Sequence, residues 1–349
     1  MILEGKPTRS ITRTADGRGA CILDQRLLPW EVRWVELRDA DQAARAIREM
    51  WTRGAPMIGA TAAYGLAMAL AADPSDDSLA TADAMLHATR PTAINLRWAL
   101  DRVVETVRPL PPAQRAEAAF ARADAICDED AALCRAIGEH GLELLRALYA
   151  RHPGRPLNIL THCNAGWLAT VDYGTATAPI YLAHDAGIPV HVWVDETRPR
   201  NQGALLTAFE LANHGVPHSV IADNAGGLLM MRGQVDAVIV GTDRVTANGD
   251  VCNKIGTYLK ALAAYDNGVP FYVALPYTTF DPATQSGDAV PIEERDGNEL
   301  AWLTGPTADG ALASVRVTAS PVRNPAFDIT PARLVTGYIT ERGVLDRIG

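Results

Sequence analysis

After residue 156 the sequence alternates short, β-branched apolar runs with segments of helical spacing, and this alternation restricts the fold more than any other feature. The β-rich runs are L-N-I-L-T, V-H-V-W-V, H-S-V-I-A, D-A-V-I-V-G and F-Y-V-A-L. Helical spacing lies between them near 203–214, 224–232 and 254–266. Strands that alternate with helices of roughly 10 residues predict a parallel, doubly wound, Rossmann-like sheet.

The first part of the chain is predicted to be mostly helical. Short β-like runs (C-I-L-D and R-W-V-E-L) come first, and apolar periodicity then predicts helices at about 40–51, 56–72, 77–88, 92–108 and 112–150. The segment H-P-G-R-P at 152–156 punctuates the chain. We therefore predict a helical N-terminal domain over 1–150 and a Rossmann-like domain over 151–349. A last helix is predicted to begin at Thr330-Pro331.

The overall charge excludes some classes of partner. The net charge is −9 and the pI is about 5.4, whereas binding to nucleic acid or to an anionic membrane through bulk charge needs a basic surface. No N-terminal signal is apparent, and no apolar run approaches the roughly 20 residues of a membrane span. We expect a cytoplasmic protein that acts on a small molecule, with any anion held by a local site.

Neither a metal nor a nucleotide cofactor is expected. The five cysteines include no C-x-x-C pair, which favours reduced thiols over a disulfide framework or a zinc cluster. His214 and His218 have H-x-x-x-H spacing, but Gly215 and Pro217 break the helix that would align them. Neither a G-x-G-x-x-G nor a G-x-x-x-x-G-K-S/T sequence follows a strand.

Each predicted strand of the second part leads into polar or reactive residues. They are His162-Cys163-Asn164, the loop D-E-T-R-P-R-N-Q at 195–202, Asp223-Asn224, Thr242-Asp243-Arg244 and Pro276-Tyr277. Ordinary solvated loops are the simpler interpretation of each one alone. Because parallel strands bring their carboxyl ends to one edge of the sheet, the repetition predicts a single crevice there.

Two of these residues carry the reactive chemistry. A lone cysteine is usually a small core residue, but Cys163 lies at a strand end beside His162, a position suited to thiolate chemistry. Asp243 follows the most hydrophobic strand; it either caps a turn or is desolvated and protonated, as a general acid must be. Lys254 opens the next predicted helix and is either solvated or directed at an anion.

Two helix starts in the first part are candidate anion sites. Arg53-Gly54-Ala55-Pro56 precedes the apolar run M-I-G-A-T-A-A-Y, so free backbone N–H groups lie beside a guanidinium. Arg90-Pro91-Thr92 repeats the arrangement. Each alone is an ordinary helix start, since proline is common at the first helical position. Together they are suited to bind a phosphate in a cleft between the domains.

Six stretches, in order from about residue 50 to 343, closely resemble the methylthioribose-1-phosphate isomerase family. They are R-G-A-P-M-I-G, R-P-T-A-I-N-L, T-H-C-N-A-G, E-T-R-P-R-N-Q-G-A, G-T-D-R-V-T-A-N-G-D-V-C-N-K-I-G-T-Y and N-P-A-F-D-I-T-P. The family is related to regulatory subunits of the exchange factor for eukaryotic translation initiation factor two. The resemblance implies a homodimer that works without metal or cofactor.

The resemblance also implies roles for individual residues. Cys163 and Asp243 match the catalytic pair, and the residues that match substrate contacts are Arg53, Gly54, Ala55, Arg90, Gln202, Asn253 and Lys254. The chain departs from the family pattern at Asn201, Thr242 and Cys252. None of these three replaces a reacting group.

The implied reaction converts 5-methylthioribose 1-phosphate to 5-methylthioribulose 1-phosphate in methionine salvage. Asp243 would protonate the ring oxygen, and Cys163 would act as a thiolate. The substrate 5-deoxyribose 1-phosphate also fits, since its 5-substituent is apolar as well. Two alternatives stay open at this point: a ribose-1,5-bisphosphate isomerase, and a non-catalytic regulatory subunit.

Overall fold

The computed structural model describes residues 1–90, 93–151 and 153–349. The chain begins with five short strands, β1 Ile2–Leu3, β2 Lys6–Pro7, β3 Ile11–Arg13, β4 Ala20–Leu23 and β5 Trp34–Leu37. They form two small antiparallel sheets, β1-β2 and β3-β4-β5. The β-like runs expected between residues 19 and 37 are thus confirmed.

Five helices follow in the N-terminal part. They are α1 Ala40–Arg48, α2 Ala55–Ala72, α3 Asp76–His87, α4 Ile94–Val107 and α5 Pro112–Tyr149. The apolar helix α2 packs against the four others, as a helix that is apolar on all sides must. Its 18 residues are long and apolar enough to cross a membrane, whereas the sequence analysis predicts no run of that kind. However, 72% of these residues are buried inside the protein.

The second part contains the remaining helices and strands. The helices are α6 Ala178–Asp185, α7 Ala208–His214, α8 Ala225–Met231, α9 Thr257–Asp266 and α10 Asn298–Ala301. The strands are β6 Leu157–Thr161, β7 Val190–Asp195, β8 His218–Ile221, β9 Ala237–Val240, β10 Arg244–Thr246, β11 Val251–Lys254, β12 Phe271–Ala274, β13 Phe280–Asp281, β14 Trp302–Pro306, β15 Leu312–Arg316, β16 Phe327–Thr330, β17 Gly337–Thr340 and β18 Gly343–Leu345.

The main sheet has the order β18-β17-β12-β9-β6-β7-β8. All its neighbouring strands are parallel except β18, which pairs antiparallel with β17. The chain starts in the middle of the sheet at β6, moves outward through β7 and β8, and then returns to add β9 on the other side. This is the Rossmann strand order, and it confirms the predicted doubly wound sheet. The topological switch point lies between β6 and β9.

A second, four-stranded sheet with the order β13-β10-β11-β16 follows the end of β9. Its hairpin β10–β11 is antiparallel, with Arg244 opposite Cys252 and Val245 opposite Val251. The hairpin turns the chain back, so Asn253 and Lys254 end beside the residues that follow β9. They lie on a strand, not at the start of the predicted helix, which begins at Thr257.

The long helix α5 contributes to both halves of the protein. Phe120 and Ile126 belong to the core formed with α2 and α4, whereas Ile137 and Leu145 belong to the core beneath the main sheet. The boundary between 150 and 151 stays a prediction. His152, in the segment that suggested this boundary, lies outside the described residues.

Two further parts of the chain differ from the secondary structure predicted from the sequence. The sequence analysis missed α6, which covers the main sheet. The last helix predicted at Thr330-Pro331 is wrong: Thr330 ends β16, opposite Val251, and only a three-residue 3₁₀ turn, Ala332–Leu334, follows before β17. A Thr-Pro pair starts a turn as readily as a helix, and the pairing of β17 with β12 takes the following residues into the sheet.

Candidate active site

A cleft of about 790 Å³ opens at the carboxyl edge of the main sheet. Its volume lies in the range of small-molecule sites, and it lies where doubly wound sheets bind ligands. All nine residues singled out in the sequence line it: Arg53, Gly54, Ala55, Arg90, Cys163, Gln202, Asp243, Asn253 and Lys254. The structure therefore brings residues from the helical part and from the sheet into one cavity.

Cys163 follows β6, on one side of the switch point. Its backbone has φ = +65°, in a region that residues other than glycine rarely adopt. Two threonines hold this conformation: the Cys163 N–H donates to Thr197 Oγ1 at 2.8 Å, and the Thr207 hydroxyl donates to the Cys163 carbonyl at 2.7 Å. Sγ lies 3.6 Å from Gln202 Oε1, so the thiol faces the cleft beside that amide.

The electrostatic environment of Cys163 differs from the expectation. Burial raises the pKa of the Cys163 thiol, and the nearby cations Arg53 and Lys254 lower it by less. The thiol, and not the thiolate expected from the sequence, is therefore the favoured form of Cys163. The positive charges of the two cations favour the thiolate, but desolvation outweighs their effect.

Asp243 follows β9, on the other side of the switch point. Burial raises the pKa of its carboxyl group, against the opposing charges of Lys254 and Arg90. This direction favours the protonated form that a proton donor needs. The hydroxyl of the neighbouring Thr242 contacts the carbonyls of Arg244 and Cys252, at 2.8 and 2.9 Å, which ties the segment to the β10–β11 hairpin.

Two buried cations line the cleft without a carboxylate partner. Arg53 is 7% exposed, and its guanidinium donates to the side chain and the carbonyl of Asn164, while its Nε has no partner. Lys254 is 9% exposed, and its Nζ lies 4.6 Å from the centre of the Phe327 ring. Among residues 1–90, 93–151 and 153–349, neither cation forms an ion pair. Because a buried charge is costly without compensation, both are suited to receive an anion.

The start of α2 adds backbone donors to the same wall of the cleft. Gly54 is the N-cap, it has φ = +95°, and no side chain caps this helix end. The first N–H groups of α2 therefore remain available to a ligand. A Cβ at Gly54 would lie 2.3 Å from the carbonyl oxygen of Ala169, so only glycine fits between α2 and the turn that follows β6.

Arginines on the far wall are already paired. Arg90 lies 3.6 Å from Glu293, and Arg295 contacts Glu293 at 2.9 Å and Glu299 at 2.7 Å. Sequence analysis missed Arg295, because its charge-rich surroundings, P-I-E-E-R-D-G, follow no strand. Residues 91 and 92 of the Arg90-Pro91-Thr92 motif lie outside the described residues, and α4 begins at Ile94.

His162 belongs to a buried charged cluster behind Cys163. Its Nδ1 lies 2.8 Å from Asp195 Oδ2, and its Nε2 lies 2.8 Å from the carbonyl oxygen of Ile255. His162, Asp195 and Asp223 are close enough together to suggest a metal site. The ammonium group of Lys260, however, contacts Asp195 at 3.0 Å and the carbonyl of Asp223. A lysine therefore provides the positive charge in this cluster.

The loop after β7 is fixed by Asp223. The Asp223 carboxylate accepts hydrogen bonds from the backbone N–H groups of Thr197 and Arg198, at 2.7 and 2.8 Å. Gln202 then precedes a π-helical turn, Gly203–Thr207, a feature often found at functional sites. The loop that follows β7 contributes Gln202 to the cleft. Asp195, the last residue of β7, is buried in the cluster with His162.

Comparison with known proteins places the chain among characterised families. Residues 51–347 match the Initiation factor 2 subunit family. A methylthioribose-1-phosphate isomerase of Methylobacterium nodulans is 63% identical over 349 residues, which cover 99% of this chain and 95% of the relative. The enzyme of the same name from Rhizobium meliloti is 63% identical over 94% of this chain and 92% of its own length.

Solved structures agree. The 5-methylthioribose 1-phosphate isomerase of Pyrococcus horikoshii superposes with a TM-score of 0.84 at 39% identity, covering 97% of this chain and 92% of that one. The translation initiation factor eIF-2B, subunit delta, of A. fulgidus gives a TM-score of 0.80 at 36% identity, covering 97% and 96%. The chain therefore belongs to the methylthioribose-1-phosphate isomerases within the Initiation factor 2 subunit family.

Proposed function

We propose that the protein is an aldose–ketose isomerase that converts 5-methylthioribose 1-phosphate to 5-methylthioribulose 1-phosphate in methionine salvage. One observation carries the proposal: Cys163 and Asp243 follow the two strands that flank the switch point, in a cleft whose buried Arg53 and Lys254 have no carboxylate partner in the described chain. The relatives that are 63% identical carry the name of this activity.

The sugar phosphate is held through its phosphate group. Arg53, Lys254 and the N–H groups at the start of α2 supply cations and donors around one anion, which is the combination that phosphate needs. The bound phosphate provides the negative charge that Arg53 and Lys254 do not receive from a carboxylate of the described chain, and it offsets the desolvation of both cations. Gln202 and Asn253 supply amide groups for the sugar hydroxyls.

Ring opening needs a proton, because a sugar with phosphate on its C1 oxygen does not open spontaneously. Burial favours the protonated form of Asp243, which donates its proton to the ring oxygen as the bond between C1 and the ring oxygen breaks. The resulting carboxylate later accepts the proton of the C2 hydroxyl when the ketone forms. Asp243 thus ends the cycle protonated, as it began.

Hydrogen moves from C2 to C1 in the second stage. The Cys163 thiolate takes the C2 proton, which leaves an enediol phosphate, and the thiol returns the proton to C1. The thiolate is the less populated form in the empty site, and it depends on Arg53 and Lys254 for stabilisation. Turnover in D₂O tests this stage: deuterium at C1 of the product supports proton transfer, and its absence points to a direct hydride shift.

Substitution of the two residues tests the assignment. Asp243→Asn keeps the shape but cannot protonate the ring oxygen, and Cys163→Ser introduces a hydroxyl of far higher pKa. Each should lower kcat at least about 100-fold while substrate binding survives, whereas Cys252→Ser, a buried thiol in β11, should cost little. Circular dichroism must first show that all three variants fold. A folded Asp243→Asn or Cys163→Ser enzyme that keeps more than about a tenth of the wild-type kcat would contradict the role of that residue.

Competition kinetics separates the related substrates. Both 5-methylthioribose 1-phosphate and 5-deoxyribose 1-phosphate have one phosphate and an apolar 5-substituent, so we propose that both are accepted. The second phosphate of ribose 1,5-bisphosphate would need a further cation, whereas Arg295 is already held by Glu293 and Glu299. It should therefore compete poorly. If none of the three compounds turns over, the non-catalytic alternative suggested by the A. fulgidus translation-factor relative is favoured.

The remaining expectations are also proposals. We propose that the protein acts in the cytoplasm as a homodimer, on the basis of the family resemblance, and that it needs neither metal nor cofactor. Analytical ultracentrifugation tests the assembly: a single monomeric species at micromolar concentration would contradict the dimer.

A further inference from the structure

We infer that Glu210, which lies outside the cleft, is a positioning residue that orients Arg53 for the phosphate by fixing the side-chain amide of Asn164. The choice of sugar phosphate as the ligand rests on the proposed function. The geometric argument does not, since it starts from the contacts of three buried side chains: Glu210, Asn164 and Arg53 are 0%, 5% and 7% exposed.

Glu210 lies on α7 and accepts four hydrogen bonds. Its Oε1 accepts from Asn164 Nδ2 at 2.8 Å and from the Leu168 N–H at 3.1 Å. Its Oε2 accepts from the Trp167 N–H at 3.0 Å and from the Tyr181 hydroxyl at 3.0 Å. The turn after Cys163 is built around this carboxylate, because a Cβ at Gly166 would lie 1.7 Å from Oε2.

The carboxylate determines which way the Asn164 amide faces. Burial raises the pKa of the Glu210 carboxyl, whereas its hydrogen-bond donors and the charge of Arg53 lower it. Because all four of its contacts are with donors, the carboxylate acts only as an acceptor, so the NH₂ group of Asn164 must face Glu210, where it also reaches Thr207 Oγ1 at 3.1 Å. The amide oxygen consequently faces Arg53, whose guanidinium can only donate. A flipped amide would place donor against donor at Arg53 and acceptor against acceptor at Glu210. Three side chains thus have one consistent arrangement.

This arrangement leaves the charge of Arg53 available. The groups that hold the guanidinium are neutral oxygens of Asn164, and the Glu210 carboxylate contacts the other end of the Asn164 amide. Burial lowers the pKa of Arg53, and the negative charge of Glu210 acts in the opposite direction. Glu210 therefore favours the charged form of the Arg53 guanidinium and keeps it oriented through Asn164, without forming an ion pair with it. A carboxylate in direct contact would compete with the phosphate.

A purely structural role for Glu210 makes a different prediction. If the carboxylate only stabilised the turn at 164–168, its loss would lower the melting temperature without a specific effect on anion affinity. The measurement that separates the two roles is the dissociation constant of inorganic phosphate, obtained by calorimetry on the intact protein. This measurement requires no turnover, so failure of the proposed isomerase activity would be recognised separately.

The test compares three variants with the wild type. Glu210→Gln puts an NH₂ group among four donors, and it should weaken phosphate binding and raise the KM for the sugar phosphate by about tenfold or more, with a smaller fall in kcat. Asp130→Asn is the matched control: Asp130 is another buried carboxylate that accepts a backbone hydrogen bond, from Val171 at 2.7 Å, and it does not contact Asn164. Its phosphate affinity should stay within about threefold of wild type.

The double variant E210Q/N164D separates positioning from folding. The introduced amide donates to the introduced carboxylate, which restores the contact between the two side chains but leaves the Leu168 N–H without its acceptor, and a negative group now touches Arg53. We expect melting temperature to recover relative to E210Q while phosphate affinity remains at least about tenfold below wild type. The inference is overturned if folded E210Q, or the double variant where E210Q does not fold, binds phosphate within about threefold of wild type.

Discussion

Replacement of Lys254 by methionine should make the protein more stable and its phosphate site weaker. Lys254 is buried, lies over Phe327, and has no ion-pair partner in the described chain. Methionine keeps an unbranched side chain of similar length in contact with the ring and removes the charge. The substitution therefore separates the effect of the Lys254 charge on folding stability from its effect on phosphate affinity.

The stability effect follows from the pKa of Lys254. Burial lowers this pKa, and the neighbouring acidic groups Cys163 and Asp243 raise it by less. The unfolded chain then holds the proton more tightly than the folded chain. The penalty is fully present at every pH below the folded pKa, and it disappears as the pH rises from the folded to the unfolded value. Lys254→Met should thus gain about 0.5–2 kcal/mol at pH 7 and less at alkaline pH.

The affinity effect has the opposite sign. A charge-assisted contact to phosphate contributes about 1.5–3 kcal/mol, so its loss should weaken binding by about 10- to 150-fold. Calorimetric melting at pH 7 and pH 10 measures the first effect, and phosphate titration measures the second. Lys260→Met is the control, because Lys260 is equally buried but pairs with Asp195 at 3.0 Å, so its loss should lower stability. A Lys254→Met protein that melts at a lower temperature and binds phosphate normally would refute this reasoning.

Three further outcomes are expected. Arg90→Ala should raise the KM for the sugar phosphate by the equivalent of about 1.5–3 kcal/mol, and an unchanged KM with binding at equilibrium would remove Arg90 from the site. Alkylation of Cys163, followed by mass spectrometry, should have its midpoint above the ordinary thiol pKa. The midpoint should fall in Asp243→Asn, because Asp243, once ionised at alkaline pH, adds a negative charge that raises the thiol pKa; no movement would show that the two groups are not coupled. EDTA should leave activity intact, and an activity lost to EDTA and restored by a divalent ion would contradict this expectation.

Local sequence patterns correctly predicted the helices and strands that are determined by the residues within them. The helix expected at 56–72 is Ala55–Ala72, and the run L-N-I-L-T is β6. Thr330-Pro331 was misassigned because the partner that makes Thr330 a strand residue, Val251, is distant in sequence. The switch point likewise depends on β9 pairing beside β6, which the alternation of strands and helices alone does not specify.

The candidate site was predictable where its residues follow strands or precede helices. Cys163, Asp243, Arg53 and the other residues carried over from the family all reached the cleft. Arg295 lies in a charged loop that resembles solvent-exposed chain. Glu210 lies in a helix where a carboxylate is ordinarily solvated, and only the packing of α7 against the turn after β6 shows its four hydrogen-bond donors.

The continuity of α5 has a mechanical consequence. Its 38 residues form a rod of about 57 Å, at about 1.5 Å per residue, and the rod crosses from one hydrophobic core into the other without a break. The end of α5 is therefore not a hinge between two independent domains, since separating the chain after α5 would remove Ile137 and Leu145 from the core beneath the main sheet. The two halves should melt in a single transition, and neither fragment should be soluble alone. Arg53 and Lys254 come from opposite halves of the protein, and we expect the shared helix α5 to keep the distance between them unchanged when a ligand binds.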